Sequence, residues 1–145
     1  MKNDFAREYE ALQELKAAYH AAETEEAKEA VRQDRKRWGL GMELKGEAYI
    51  RVFNLYEHAH DRGNEYIDLH DCIWDKDVKP LIDSLRANGI EKFTFSSTWS
   101  SAVETAWLFL QNGCRLEGLV ELDGTCKKTF GDGYEKAHGY LFSIG

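Results

Sequence analysis

The sequence predicts an α/β fold: a four-stranded mixed sheet, three parallel strands plus an antiparallel C-terminal strand, with helices packed against it and a long N-terminal helix. Three observations carry this expectation. From Asp4 to Trp38 the chain has neither Gly nor Pro and is rich in Ala, Glu, Lys and Arg, a helix-forming composition. Beyond Gly63, strand-like runs alternate with helical apolar stripes at the spacing of parallel strands joined by crossovers. The tail "EKAHGYLFSIG" alternates as a strand and is expected to return antiparallel beside "RLEGLVEL".

The first helix starts at a cap, Asn3 or Asp4, and carries a stripe of Phe5, Leu12, Leu15, Tyr19 and Ala22. Thr24 is a second cap, so the segment is either one long helix or a pair broken there. An unbroken helix of this length spans about 50 Å, so part of it faces solvent or a partner. "WGLG" (38–41) reads as the first break and divides an N-terminal helical arm, 1–38, from an α/β domain, 39–145. A second helix follows from Glu43 to about Asp61, with Leu44, Ala48, Val52, Leu55, Tyr56 and Ala59 on one face and Gly63 past its last turn.

The strands are "YIDL" (66–69), "KFTF" (92–95) and "RLEGLVEL" (115–122), followed by a wide loop, "DGTCKKTFGDGY". Between them lie two helices with matching i, i+3, i+4, i+7 stripes: Val78, Leu81, Ile82, Leu85, and then Val103, Ala106, Trp107, Leu110. Pro80 is expected in the first turn of its helix, and Asn88-Gly89 and Asn112-Gly113 close the two helices.

Composition narrows the function. The chain has 145 residues, 43% hydrophobic and 12% aromatic with a single proline, which excludes a disordered chain. A net charge of −7 argues against direct binding to nucleic acid or an anionic membrane. "RQDRKRWG" (32–39) gathers four cations at a helix end, a solvated face that suits the helix dipole. Cys72, Cys114 and Cys126 form no paired motif, so reduced, structural cysteines and a cytoplasmic location are expected. The charged N-terminus lacks a signal peptide's apolar run, and no segment approaches a membrane span.

In a parallel sheet, ligands bind at the rim where strands end. Three segments are expected there: "HDCIWD" (70–75), "SSTWSS" (96–101) and "DGTCKK" (123–128). The candidate ligand or partner contacts are Ser97, Thr98, Trp99, Ser100, His70, Asp71 and Asp123. The hydroxyl cluster at a helix start suits an anion, or it serves only as a cap in which Ser101 and Glu104 form a capping box. Trp99 either covers the core edge or stacks on a ligand or partner. His58 and His60 point about 200° apart on their helix and cannot share a metal, so neither a metal nor a cofactor is expected. A hydrolase set would draw on Ser97 or Ser100 with His70 and Asp71 or Asp123, but there is no G-x-S-x-G elbow and adjacent side chains diverge. No catalytic residue is therefore assigned.

The segment "IEKFTFSSTWSSAVETAWLFLQNGCRLEGLVEL" resembles a pattern in small uncharacterised α/β proteins of phages and conjugative elements of gut Firmicutes. There a strand ending in Ser precedes a helix, followed by Gly-Cys, alternating apolar residues and a Glu. The resemblance implies a mobile-element accessory protein, one version being an inhibitor of a host nucleic-acid-handling enzyme. The leading expectation is a non-enzymatic protein–protein interaction module, contacting a protein partner or a second copy of itself through the N-terminal helix. The alternative is a domain that binds a small ligand or anion, in one version hydrolytic, using the serine-rich turn.

Overall fold

A computed structural model describes residues 3–70 and 73–145. Among them the elements run α1 (Asp4–Ala21), α2 (Glu25–Lys45), α3 (Glu47–Arg62), β1 (Ile67–His70), α4 (Asp75–Ala87), β2 (Lys92–Ser96), α5 (Ala102–Gln111), β3 (Cys114–Lys127) and β4 (Tyr134–Ile144). The strands form one sheet in the order β1-β2-β4-β3.

The N-terminal segment is a pair of helices. Asn3 Oδ1 accepts from the Ala6 N–H at 2.7 Å to start α1, and Thr24 Oγ1 accepts from the Ala27 N–H at 3.1 Å to start α2. The break expected at "WGLG" is absent, because α2 continues through Gly39 and Gly41 to Lys45. Each glycine costs about 1 kcal/mol in a helix. Local packing offsets that cost: the Trp38 ring lies 5.7 Å from Phe53, and Met42 is buried. The chain turns instead at Gly46, whose φ of 100° is open to glycine. Leu44 thus belongs to the end of α2 and is exposed, while Tyr49, Val52, Phe53 and Ala59 form the buried face of α3.

A polar network ties the first three helices together. Tyr49 donates to Asp4 Oδ2 at 2.5 Å, Lys45 Nζ bridges Asp4 at 2.9 Å and Glu8 at 3.0 Å, and Trp38 Nε1 donates to Glu8 at 2.7 Å. The hydrogen bonds from Tyr49 and Lys45 hold the Asp4 carboxyl below the usual aspartate range, and burial together with the Asp4 contact pushes the Tyr49 phenol up.

The expected set of three parallel strands is corrected by the pairing. Only β1 and β2 pair in parallel, with Ile67 opposite Phe93 and Leu69 opposite Phe95. β4 lies between β2 and β3 and is antiparallel to both. The reason is local. The segment expected as a wide loop is strand as far as Lys127, and the Lys128 N–H donates to Gly133 O at 3.0 Å to close a short turn. The short turn sets β4 antiparallel against β3, and the other edge of β4 pairs with β2.

The α4 stripe is buried as expected, at Val78, Leu81, Ile82 and Leu85. Pro80 sits in the second turn rather than the first. It and Lys76, whose carbonyl loses its helical partner, are both exposed, so the lost bond falls on the solvent side of the helix. The expected stripe of α5 is overturned. Thr105 and Phe109 are buried, while Val103, Trp107 and Leu110 face out. The Phe109 ring packs 5.2 Å from Phe93, 5.2 Å from Phe95 and 5.3 Å from Phe142. One apolar cluster joins these rings to Leu69, to the α4 stripe and to Phe5 and Leu12 of α1.

Candidate functional site

Strands alternate faces, so β1 and β2 present Ile67, Leu69, Phe93 and Phe95 on one side and Asp68, His70, Thr94 and Ser96 on the other. The parallel register sets Asp68 opposite Thr94 and His70 opposite Ser96. The Thr94 hydroxyl donates to Asp68 Oδ1 at 2.8 Å, and the Ser96 hydroxyl donates to Asp68 Oδ2 at 2.5 Å. Ser96 Oγ also lies 3.0 Å from His70 Nδ1, which is 3.9 Å from Asp68 Oδ2. Asp68, Thr94 and Ser96 are all buried.

Two elements close over this polar face. The Asn64 side chain, just past α3, donates to Asp123 O and accepts from the Asp123 N–H, both at 2.9 Å, which pins the β3–β4 hairpin. Beyond Asp123, Thr125 joins Leu55, His58, Ala59 and Arg62 of α3 around a pocket of about 230 Å³ that also reaches Asp68 and His70. His60 faces the other way, its ring 4.2 Å from Tyr9, as the helical spacing of the two histidines requires. Among the described residues, no three His, Cys, Asp or Glu side chains converge as a metal site.

Burial raises the Asp68 carboxyl above the ordinary aspartate value of 3.8, against the opposing pull of the Ser96 and Thr94 hydrogen bonds and the charges of His70 and Arg62. With the carboxylate ionised, both hydroxyls donate to it. Ser96 then has only a lone pair for His70, and Nδ1 must carry the proton. When Asp68 takes a proton the chain of bonds can run the other way, from Asp68 through Ser96 to His70. A raised native value favours the protein at low pH, and that contribution is lost as pH climbs through it. Replacing Asp68 with Asn removes this dependence. The urea midpoint of D68N relative to the native chain is expected to rise as pH increases from 3.8 to neutrality. An offset that stays constant across that window would show that Asp68 is not the titrating group.

Of the sequence-derived candidates among the described residues, His70 lines this pocket and the others do not. His70 is in the cluster, but its serine is Ser96 rather than Ser97 or Ser100, and its carboxylate is Asp68. The serine stands between carboxylate and imidazole, where an Asp–His–Ser relay places its histidine, and its hydroxyl donates a hydrogen bond to Asp68. Asp123 acts through its backbone, while its side chain pairs with Lys136 at 2.7 Å. Ser97, Thr98, Trp99 and Ser100 form a turn after β2 in which Ser97 Oγ accepts from the Trp99 N–H at 3.1 Å. The capping box is absent: Ser101 makes no side-chain cap bond to α5. Asp71 and Cys72 lie outside the described residues. Cys126, expected to be structural, is exposed; Cys114 is buried, and burial pushes its thiol up to about 11.

On the opposite side of the sheet, α5 turns apolar side chains to solvent. Val103 is 67% exposed and Trp107 56%, with Leu110 on the same stripe and Trp99, 58% exposed, in the turn before it. The strand that follows, β3, packs on α5 and forms the free edge of the sheet, with Leu116 and Leu119 exposed. No helix among the described residues is long and apolar enough to cross a membrane.

The model of one protein family, Domain of unknown function (DUF7698), matches residues 51–144. No curated protein and no solved structure matches the chain. The matched span begins inside α3 and takes in every strand, α4 and α5, and with them both the polar pocket and the apolar surface. Most of the chain lies within that span, and the chain belongs to the DUF7698 domain family.

Proposed function

We propose that this domain is a protein-interaction module that docks through α5 and the edge strand β3. The observation that carries the reading is the outward stripe of Val103, Trp107 and Leu110, flanked by Trp99. A tryptophan held this far out on a regular helix, with a second in the turn before it, adds little to the core, and tryptophan is a side chain that anchors protein interfaces. The docking element therefore moves from the first helix to α5, because Phe5 and Leu12 of α1 are used within the chain. An accessory role on a mobile element, as an inhibitor of a host nucleic-acid-handling enzyme, is the version suggested by the sequence resemblance.

A photo-reactive phenylalanine analogue at position 107 tests this in cells, with the exposed position 79 on α4 as control. Discrete protein adducts are expected at 107 and not at 79, and Val103→Glu in the same chain should abolish them. The same adducts from both positions, or none from 107, would refute docking through α5.

A second reading is favoured by the chain of bonds from Asp68 through Ser96 to His70 beside the pocket with Arg62 and His58. Polar groups buried at this cost are kept where they bind or move protons. The ligand in this reading is small and polar. Its stabilising effect on the native chain should saturate and should be lost in D68N; an undiminished effect in D68N would place the ligand elsewhere.

A further inference from the structure

The pocket between α3 and the polar face of β1 holds two opposite charges that do not pair with each other. Arg62, in the last turn of α3, is half-buried and makes no ion pair among the described residues. Every other described lysine or arginine without an ion pair is exposed, where water solvates it. The Arg62 guanidinium lies over the Tyr134 ring, 5.3 Å from its centre. Tyr134 opens β4, in the hairpin that Asn64 pins through Asp123, so the guanidinium fork is held ready for a partner. Asp68 is the opposite pole. It is 6% exposed, and it accepts one hydrogen bond at each oxygen, from Thr94 and Ser96, which leaves acceptor capacity on both. Leu55 and Ala59 add an apolar wall to the same pocket.

We propose that this pocket binds a small α-amino acid, its carboxylate on Arg62, its ammonium toward Asp68 and a short aliphatic side chain against Leu55 and Ala59. The assignment rests on the reading of the pocket as a site for a small polar ligand and names the ligand's class. Charge selects that class. A simple anion would face the Asp68 carboxylate, and a simple cation would face the Arg62 guanidinium. A zwitterion meets an opposite charge at each end. The guanidinium takes a carboxylate through two parallel hydrogen bonds, and the ammonium brings three donors to the acceptor capacity left on Asp68. Size narrows the class further. At about 230 Å³ the pocket lies below the roughly 300–1,000 Å³ of ordinary ligand sites, which shuts out a nucleotide or a larger cofactor.

Calorimetric titration and thermal unfolding of the full chain test the assignment, with L-alanine, L-valine and L-leucine as probes. At least one is expected to bind and to raise the melting temperature in a saturable way. Its N-acetyl form lacks the cation and its amide lacks the carboxylate, and each should bind on the order of 100-fold more weakly. The free amino acid should weaken as much toward Asp68→Asn and toward Arg62→Gln, while Arg62→Lys keeps the charge and should bind more tightly than Arg62→Gln. Arg62 is only half-buried, so its variants carry the test even if D68N does not fold. No binding by any of the three, an N-acetyl form that binds as well as the free amino acid, or undiminished binding to R62Q would each overturn the proposal. Acetate, phosphate and glycerol separate the two failures. Stabilisation by one of them that D68N loses would leave a small polar ligand in the pocket and sink only the amino acid; no effect from any probe would sink both.

Discussion

Phe109→Ala is expected to cost about 3–5 kcal/mol of folding stability, enough to remove a large part of what a domain of this size holds. Phe109 is fully buried, and its ring meets three others from two strands, at 5.2 Å from Phe93, 5.2 Å from Phe95 and 5.3 Å from Phe142. Truncation leaves a cavity between α5 and the sheet that rigid strands cannot fill. Trp107 removes more atoms when cut to Ala, yet it is 56% exposed, and its loss is expected to change stability by no more than about 0.5 kcal/mol in the isolated chain. Urea unfolding of the two variants reads the contrast directly. Equal losses would mean that α5 is rotated from its position here, and the exposed stripe with it.

That contrast also shows where the sequence could be read and where it could not. α4 has one apolar stripe with charged residues around it, so its buried face follows from periodicity. In α5 nearly every position is apolar, from Ala102 and Val103 through Leu110, and two stripes compete. The winner is chosen by Phe93, Phe95 and Phe142, which are distant in sequence and carry no local signal. The expectation of three parallel strands failed for a related reason. That β4 pairs with β3 was legible in the alternation of both segments, but its insertion beside β2 depends on a contact between Phe93 and Phe142 that spans half the domain.

Of the polar cluster the sequence singled out His70, while Asp68 and Thr94 lay inside the expected strands "YIDL" and "KFTF" and Ser96 at the head of the expected rim segment "SSTWSS". Nothing local to either strand says which face of the sheet is covered. The structure covers these residues with α3 and the hairpin, through the Asn64–Asp123 bonds. A signal did exist. Ile-Asp-Leu-His and Phe-Thr-Phe-Ser repeat one alternation, and in parallel register such repeats must stack Asp against Thr and His against Ser. Trp99 and its serines drew attention by composition, yet it is Thr94 and Ser96, just before them, that bond to Asp68.

Phe5→Ala is the second large effect, again about 3–5 kcal/mol. Phe5 lies at the very start of α1, where a frayed helix end would ordinarily tolerate any substitution. Here it is fully buried, 4.9 Å from the Tyr49 ring and 6.2 Å from the Tyr56 ring, both on α3. Neighbouring bonds close around it: Asp4 accepts from Tyr49, Lys45 bridges Asp4 and Glu8, and Trp38 holds Glu8 from α2. The loss should therefore exceed that of Tyr19→Ala, which is only half-buried near the open end of the helix pair. In unfolding experiments, the Phe5 variant should lose stability as a single transition, because its ring belongs to the same apolar cluster as Phe93 and Phe109. Were it to unfold at the native urea midpoint, α1 would be an appendage, and the Tyr49 and Tyr56 face of α3 would itself be a surface open to a partner.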